Sequence, residues 1–133
     1  MTIPESEINL PDVVSELRNL YPRYEQALVS NDVDTLVAMF WASPHVMRFG
    51  ATENLYGHEE LEVFRNSRPA VNLARTVKRL DILTFGHDCG SITLEFERDT
   101  PGGRLHGRQS QVWVRFPIGW RIVSAHVSFL PTA

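Results

Sequence analysis

The sequence predicts an α+β fold in which N-terminal helices pack into a bent antiparallel sheet. Three observations predict it. Apolar residues recur at helical spacing up to residue 66, and after Ala74 they alternate with polar ones between turn signals placed for consecutive hairpins. The third is composition: 133 residues, 43% hydrophobic and 22% charged, are enough to bury one core without staples.

Residues 1–10 read as an acidic, weakly ordered N-terminal arm, and residues 11–133 as a single domain. In the first helix, Val13, Leu17, Leu20, Tyr24 and Leu28 share one face, and Pro11 suits the first turn, where a missing amide costs nothing. Pro22 predicts a kink, or a junction with a preceding turn. Ser30-Asn31-Asp32 breaks the run and caps a second helix over Val33 to Phe40. His45 to Phe49 reads as a strand with Val46 and Arg48 on one face and Met47 and Phe49 on the other. Ala51 to Tyr56 reads as a loop between Gly50 and Gly57. A third helix, His58 to Asn66, carries Glu59, Glu60 and Glu62 early and Arg65 late, as the helix dipole favours, with Leu61 and Phe64 as its apolar stripe.

In the strand region, Leu80, Ile82 and Thr84 alternate with Asp81, Leu83 and Phe85, and Ile92, Leu94 and Phe96 with Thr93, Glu95 and Glu97. Pro101-Gly102-Gly103 and Pro117-Ile118-Gly119 are the turns, placing the last two strands at His106 to Phe116 and Trp120 to Leu130. An apolar sheet face with Val123, Val127 and Phe129 predicts a cover, and so a homodimer.

Composition and charge exclude several function classes. A net charge of −3 lacks the basic footprint of a nucleic-acid binder. No window is long and apolar enough to span a membrane, and no basic n-region marks a signal peptide. The single cysteine, Cys89, allows no internal disulfide and fits a reducing compartment, so a cytoplasmic location is expected. The five histidines show no metal-ligand spacing, the glycines form no phosphate-cradling loop, and Ser110 sits in no nucleophile elbow. The expectation is a single pocket that uses neither metal nor cofactor.

Arg48 is the most informative residue. On an inward strand face its guanidinium needs an anion, either Glu53 or a third-helix glutamate, or a substrate carboxylate gripped by its fork. Tyr24 lies on the buried face of the first helix and its hydroxyl needs a partner, in the core or in a pocket. His126 is in phase with Trp120, Ile122, Ser124 and Ser128, which suggests a polar-lined cavity wall, although a satisfied structural histidine fits equally. Gln109, Gln111 and Trp113 share one face of the penultimate strand, Arg108 and Ser110 the other, and alternation alone leaves the inward face open. Arg68, before Pro69, either caps the third helix or reaches the pocket mouth.

The segment Arg48-Phe-Gly-Ala-Thr-Glu-Asn-Leu-Tyr-Gly57 and the segment from Gly107-Arg-Gln-Ser-Gln to Ala-His-Val-Ser128 resemble the AtzH-like family of the nuclear-transport-factor-2-like (SnoaL-like) superfamily. The resemblance covers residues 11 to 130 and implies a cone-shaped fold with a pocket at its wide end. It implies conversion of a carboxylated urea, 1,3-dicarboxyurea, toward allophanate in bacterial nitrogen catabolism of the cyanuric acid type, beside a partner amidase. The family's pocket pair, a first-helix tyrosine and a first-strand arginine, matches Tyr24 and Arg48.

The expected function is therefore a cofactor-independent amidase, hydrolase or decarboxylase of a small anionic urea. Tyr24, Arg48 and His126 are the candidate catalytic residues; Arg48, Arg68, Arg108 and Gln111 are the candidate substrate-binding residues. The alternative is a non-catalytic binding or assembly module. A proton-transfer isomerase ranks last, for want of an assigned inward carboxylate.

Overall fold

The structure, a computed structural model, describes residues 2–69 and 73–131, so positions 1, 70–72 and 132–133 of the expected arm and domain lie outside the described residues. Three helices come first: α1 (Pro11–Val29), α2 (Val33–Ala38) and, after two short strands, α3 (His58–Ser67). The strands are β1 (Met47–Phe49), β2 (Asn54–Tyr56), β3 (Thr76–Phe85), β4 (Cys89–Thr100), β5 (Gly103–Phe116) and β6 (Gly119–Phe129).

Helix α1 continues on both sides of Pro22, so Pro22 marks no junction. Pro22 faces solvent, while Val13, Leu17, Tyr21, Tyr24, Ala27 and Leu28 are all buried on the opposite side. A proline interior to a helix costs about 3 kcal/mol, whereas each buried large apolar side chain contributes about 1.5–3 kcal/mol, so the buried face decides. Asp32 caps α2 as expected, accepting the Thr35 amide at 3.3 Å and the Thr35 hydroxyl at 2.7 Å. The Gly50 amide closes a tight turn on the Glu53 carbonyl at 2.8 Å. That turn sends Asn54–Tyr56 back along β1, with Arg48 opposite Leu55, so the end of the expected loop is a strand.

The strands form one sheet in the order β2-β1-β6-β5-β4-β3. The hairpin strands are antiparallel, but β1 runs parallel to β6 and the sheet is mixed. No hairpin joins β1 to β6, so no turn imposes their direction. Gly103 (φ 122°) and Gly119 (φ 115°) open β5 and β6 in the positive-φ conformation that the two expected turns require.

The inward face of the sheet carries Ile92, Leu94, Phe96, Trp113, Ile122 and Ala125, packed on Leu17, Leu36, Phe40 and Leu61 from the helices. One irregularity redirects β6. Val112 faces Ser124 but Trp113 faces Ile122, so Val123 is an extra residue, a β-bulge. Trp120 and Ile122 point inward before it; after it the inward residues are Ala125, Val127 and Phe129.

The N-terminal arm is held against the sheet rather than weakly ordered. Asn9 donates its amide to the Thr84 carbonyl and accepts the Thr84 amide on Oδ1, both at 2.9 Å, and Ile8 bridges Phe85. The arm thereby covers one end of the β3 edge. No described helix is long and apolar enough to cross a membrane.

Candidate active site

Local geometry brings β1 and α3 to one place. The Gly57 amide donates to the Val46 carbonyl at 2.7 Å and the His58 amide to the Ser43 carbonyl at 3.0 Å, docking the start of α3 on the chain that enters β1. Gly57 has φ 85°, a backbone conformation in which a side chain would be strained. Arg48 on β1 and Phe64, Arg65 and Arg68 at the far end of α3 then face Tyr24 on α1. Between them and β4, β5 and β6 lies a cavity of about 380 Å³.

Tyr24, Arg48 and Arg68 all line this cavity. Arg48 is buried, 7% exposed, with Val46 on its side of the strand and Met47 on the other, as the alternation predicts. Its Nη1 donates to Glu53 Oε1 at 2.9 Å, so the expected internal partner is present. This contact engages one edge of a five-donor fork. Burial works to raise the Glu53 carboxyl, but hydrogen bonds from Thr52 and Arg48 outweigh it and hold the group below the usual carboxylate range. Arg68 is half-buried and makes no hydrogen bond or ion pair among the described residues; burial, and then the charges of Arg48 and Arg98, push its guanidinium down.

Three expected site residues lie elsewhere. His126 is exposed on the outer face of the sheet, edge-on to Phe49 at 5.9 Å. The bulge at Val123 breaks its phase with Trp120 and Ile122, which is why even spacing misplaced it. Arg108 also points outward and is exposed, because Gln109, Gln111 and Trp113 form the inward face. Gln111 is inward but belongs to the core: it accepts the Trp113 indole N–H at 3.0 Å and does not line the cavity. The same bulge turns Val127 and Phe129 into the cavity wall, so they are not the exposed apolar face from which a dimer was expected.

Sequence reasoning missed two arginines. Arg75 lines the cavity, lies 4.2 Å over the Phe96 ring, and forms a two-point ion pair with Glu25, both bonds 2.8 Å. Its Nη2 also donates to Gln109 Oε1 at 2.9 Å and to Tyr21 Oη at 3.2 Å. Tyr21 Oη in turn accepts from Gln109 Nε2 at 3.0 Å and donates to Glu25 at 2.8 Å. Burial and the Glu25 charge push the Tyr21 phenol well above its ordinary value. Burial opposes ionisation of Glu25, yet the Arg75 and Tyr21 hydrogen bonds hold its carboxyl below the ordinary range. This network is a hydrogen-bonded piece of cavity wall.

Arg65 was read as a charge at the end of a helix, but it is fully buried and donates from Nη2 to Tyr24 Oη at 3.4 Å. A signal for it existed. Arg65 follows Leu61 by four residues, and so shares the buried helical face. For Arg75 there was no local signal, since its partner lies 50 residues away.

The resulting wall is strongly cationic. Arg48, Arg68, Arg75 and Arg98 line the cavity against one lining carboxylate, Glu53, among the described residues, with Leu28, Phe64, Leu73, Phe96, Val127 and Phe129 as the apolar part. Such a wall offers charge-assisted donors that suit a small anion. No three His, Cys, Asp or Glu side chains converge as metal ligands among the described residues.

A family model described as AtzH-like matches residues 6–133. A solved protein of unknown function from the DUF3225 family of Pectobacterium atrosepticum is 42% identical, with 98% of this chain and 100% of that chain covered and a TM-score of 0.93. A cystatin-like fold protein from Burkholderia xenovorans is 38% identical, covering 96% and 98% with a TM-score of 0.87. An NTF2-like protein of Pseudomonas putida shares the fold at 16% identity, covering 93% and 90% with a TM-score of 0.75. No curated protein is similar enough to match.

Proposed function

We propose, from the premise that the chain belongs to the AtzH-like family and has the NTF2-like fold, that the cavity binds a small carboxylated urea and removes a carboxyl group from its nitrogen. One observation carries this reading: an arginine-rich cavity wall that also includes Tyr24. The substrate is of the 1,3-dicarboxyurea type and the product of the allophanate type. Arg48 and Arg68 hold carboxylates and offset their charge, and the Tyr24 hydroxyl donates to the urea carbonyl. The Arg75–Glu25 pair is internally satisfied and gives the floor a fixed shape.

The chemistry follows from what the wall offers. Its lining residues include no Ser, Cys, Lys or His among those described, so no strong nucleophile adjoins the cavity. An N-carboxylated urea needs none. The C–N bond to the carboxyl group breaks, its electron pair stays on nitrogen, nitrogen gains a proton, and carbon dioxide leaves. Attack by water at the same carboxyl carbon gives bicarbonate instead. Both routes give the same organic product, and the first-formed inorganic species distinguishes them. Action in bacterial nitrogen catabolism, in the cytoplasm, as a homodimer and beside an amidase completes the reading.

The test is to follow carbon dioxide and bicarbonate release from freshly generated dicarboxyurea, with and without the protein. Acceleration that is lost in Tyr24→Phe and Arg48→Ala supports the proposal. An unchanged rate with the parent protein refutes it. The same lack of a nucleophile favours one second reading, a ligand-binding module that delivers the anion to a partner amidase. Saturable binding without turnover, together with co-purification of an amidase, would support that instead.

A further inference from the structure

Arg65 is 0% exposed, and its Nε and Nη1 are buried without a hydrogen-bond partner among the described residues. No carboxylate pairs with it among the described residues, and its one hydrogen bond runs from Nη2 to Tyr24 Oη. Burial, together with the charges of Arg48 and Arg68, pushes its guanidinium down. A buried charge without a counterion is costly, so a residue kept in this state calls for a physical reason.

The reason lies in which atom donates. A guanidinium has donors and no acceptor, so in this contact the Tyr24 oxygen must accept. That occupies the side of the hydroxyl facing Arg65 and turns its hydrogen away. Tyr21, three residues earlier on the same helix, shows the alternative. Its oxygen accepts from Arg75 and Gln109, and its hydrogen is consumed by Glu25. Tyr24 has no such acceptor among the described residues, and it lines the cavity.

We infer that Arg65 is a positioning residue: by donating to the Tyr24 oxygen it commits the Tyr24 hydrogen to the cavity, so the ligand atom bound there is an acceptor oxygen, a carbonyl or carboxylate. This rests on reading the cavity as an anion site, and it adds a residue that touches no ligand. Arg65 and Arg48 both lie near the Phe64 ring, their guanidinium carbons 6.0 and 5.5 Å from its centroid. An anion entering beside Tyr24 therefore meets Arg48 at the surface of the cavity and Arg65 behind its wall.

The experiment is a double-mutant cycle with Tyr24→Phe and Arg65→Met, read first without ligand and then with hydantoate, a stable carboxymethyl urea. Without ligand, Tyr24→Phe should lower Tm by about 3–5 °C in the Arg65 protein, because it strands a buried charged donor. In the Arg65→Met background the same change should shift Tm by less than about 1 °C. Equal shifts in both backgrounds would overturn the contact. With hydantoate, each single variant should weaken binding about tenfold and the double variant no further, since both remove one oriented donor. Arg65→Lys should recover part of the loss. Additive losses, or parental affinity in Arg65→Met, would overturn the positioning role. In turnover, Arg65→Met should raise KM about tenfold and leave kcat within about twofold, as expected for an interaction made in the ground state and the transition state alike. If the parent turns over no dicarboxyurea, the proposed activity fails, while the ligand-free cycle still judges Arg65.

Discussion

Glu25→Gln is the perturbation whose size the structure defines best. Glu25 accepts from Nε and Nη2, one edge of the Arg75 guanidinium, both at 2.8 Å, and the two side chains are 20% and 5% exposed. Removing one partner of a buried ion pair costs about 3–5 kcal/mol, because the remaining charge is left uncompensated. Two features reduce that figure here. Glu25 is one-fifth exposed, and a glutamine oxygen still accepts one bond from Arg75. About 2–3 kcal/mol is the expected loss. At about 2.1 cal/mol/K per residue, a 133-residue chain has an unfolding entropy near 0.28 kcal/mol/K, so Tm should fall by about 7–11 °C at pH 7. The folded carboxyl sits below its unfolded value of about 4.3, so the stability it adds is complete above that pH. It is lost as pH falls through the folded pKa. Parent and variant should therefore converge in acid. Thermal unfolding followed by circular dichroism at pH 7, 5 and 3 reads both effects. A variant within 2 °C of the parent at pH 7, or a gap that persists unchanged to pH 3, would refute the account of Arg75 as a cation fixed by Glu25.

Other outcomes follow from the same geometry. Arg48→Ala should weaken binding of a carboxylated urea about 10- to 100-fold by calorimetry, the range for a charge-assisted fork, and Arg48→Lys should restore only part because a point charge cannot grip in two places. His126→Ala and Arg108→Ala should leave both Tm and the turnover rate within error in thermal and carbon-dioxide assays, since both side chains lie on the outer sheet face. Gly107→Ala should lower stability by about 1–3 kcal/mol in urea unfolding, because the new methyl collides with the Phe96 ring that carries Arg75.

Much of the fold was legible because it rests on local pattern. The buried stripe of α1, the Asp32 cap and the Gly103 and Gly119 turns each follow from spacing or backbone stereochemistry within a few residues. The inward direction of Arg48 was legible for the same reason, since Val46 beside it has no role outside a core. The site was only half legible. His126 was placed by counting in twos along β6, and the bulge at Val123 shifted that count by one. Arg65 looked like a charge at a helix end, although the position of Leu61 one turn earlier puts it on the buried face.

The sequence by itself determined the order of elements and the class of fold, and marked Tyr24, Arg48 and Arg68 as candidates for the cavity, because periodicity and turn chemistry are written into neighbouring residues. The tertiary structure decided which sheet face looks inward, that β1 joins β6 in parallel, and that four arginines distant in sequence line one wall. These depend on register, on one extra residue in one strand, and on ion pairs such as Arg75 with Glu25 that close across 50 positions. The energy of such long-range contacts has no image in the local pattern. The chain's net charge of −3 likewise gives no sign of the cationic cavity that folding assembles within it.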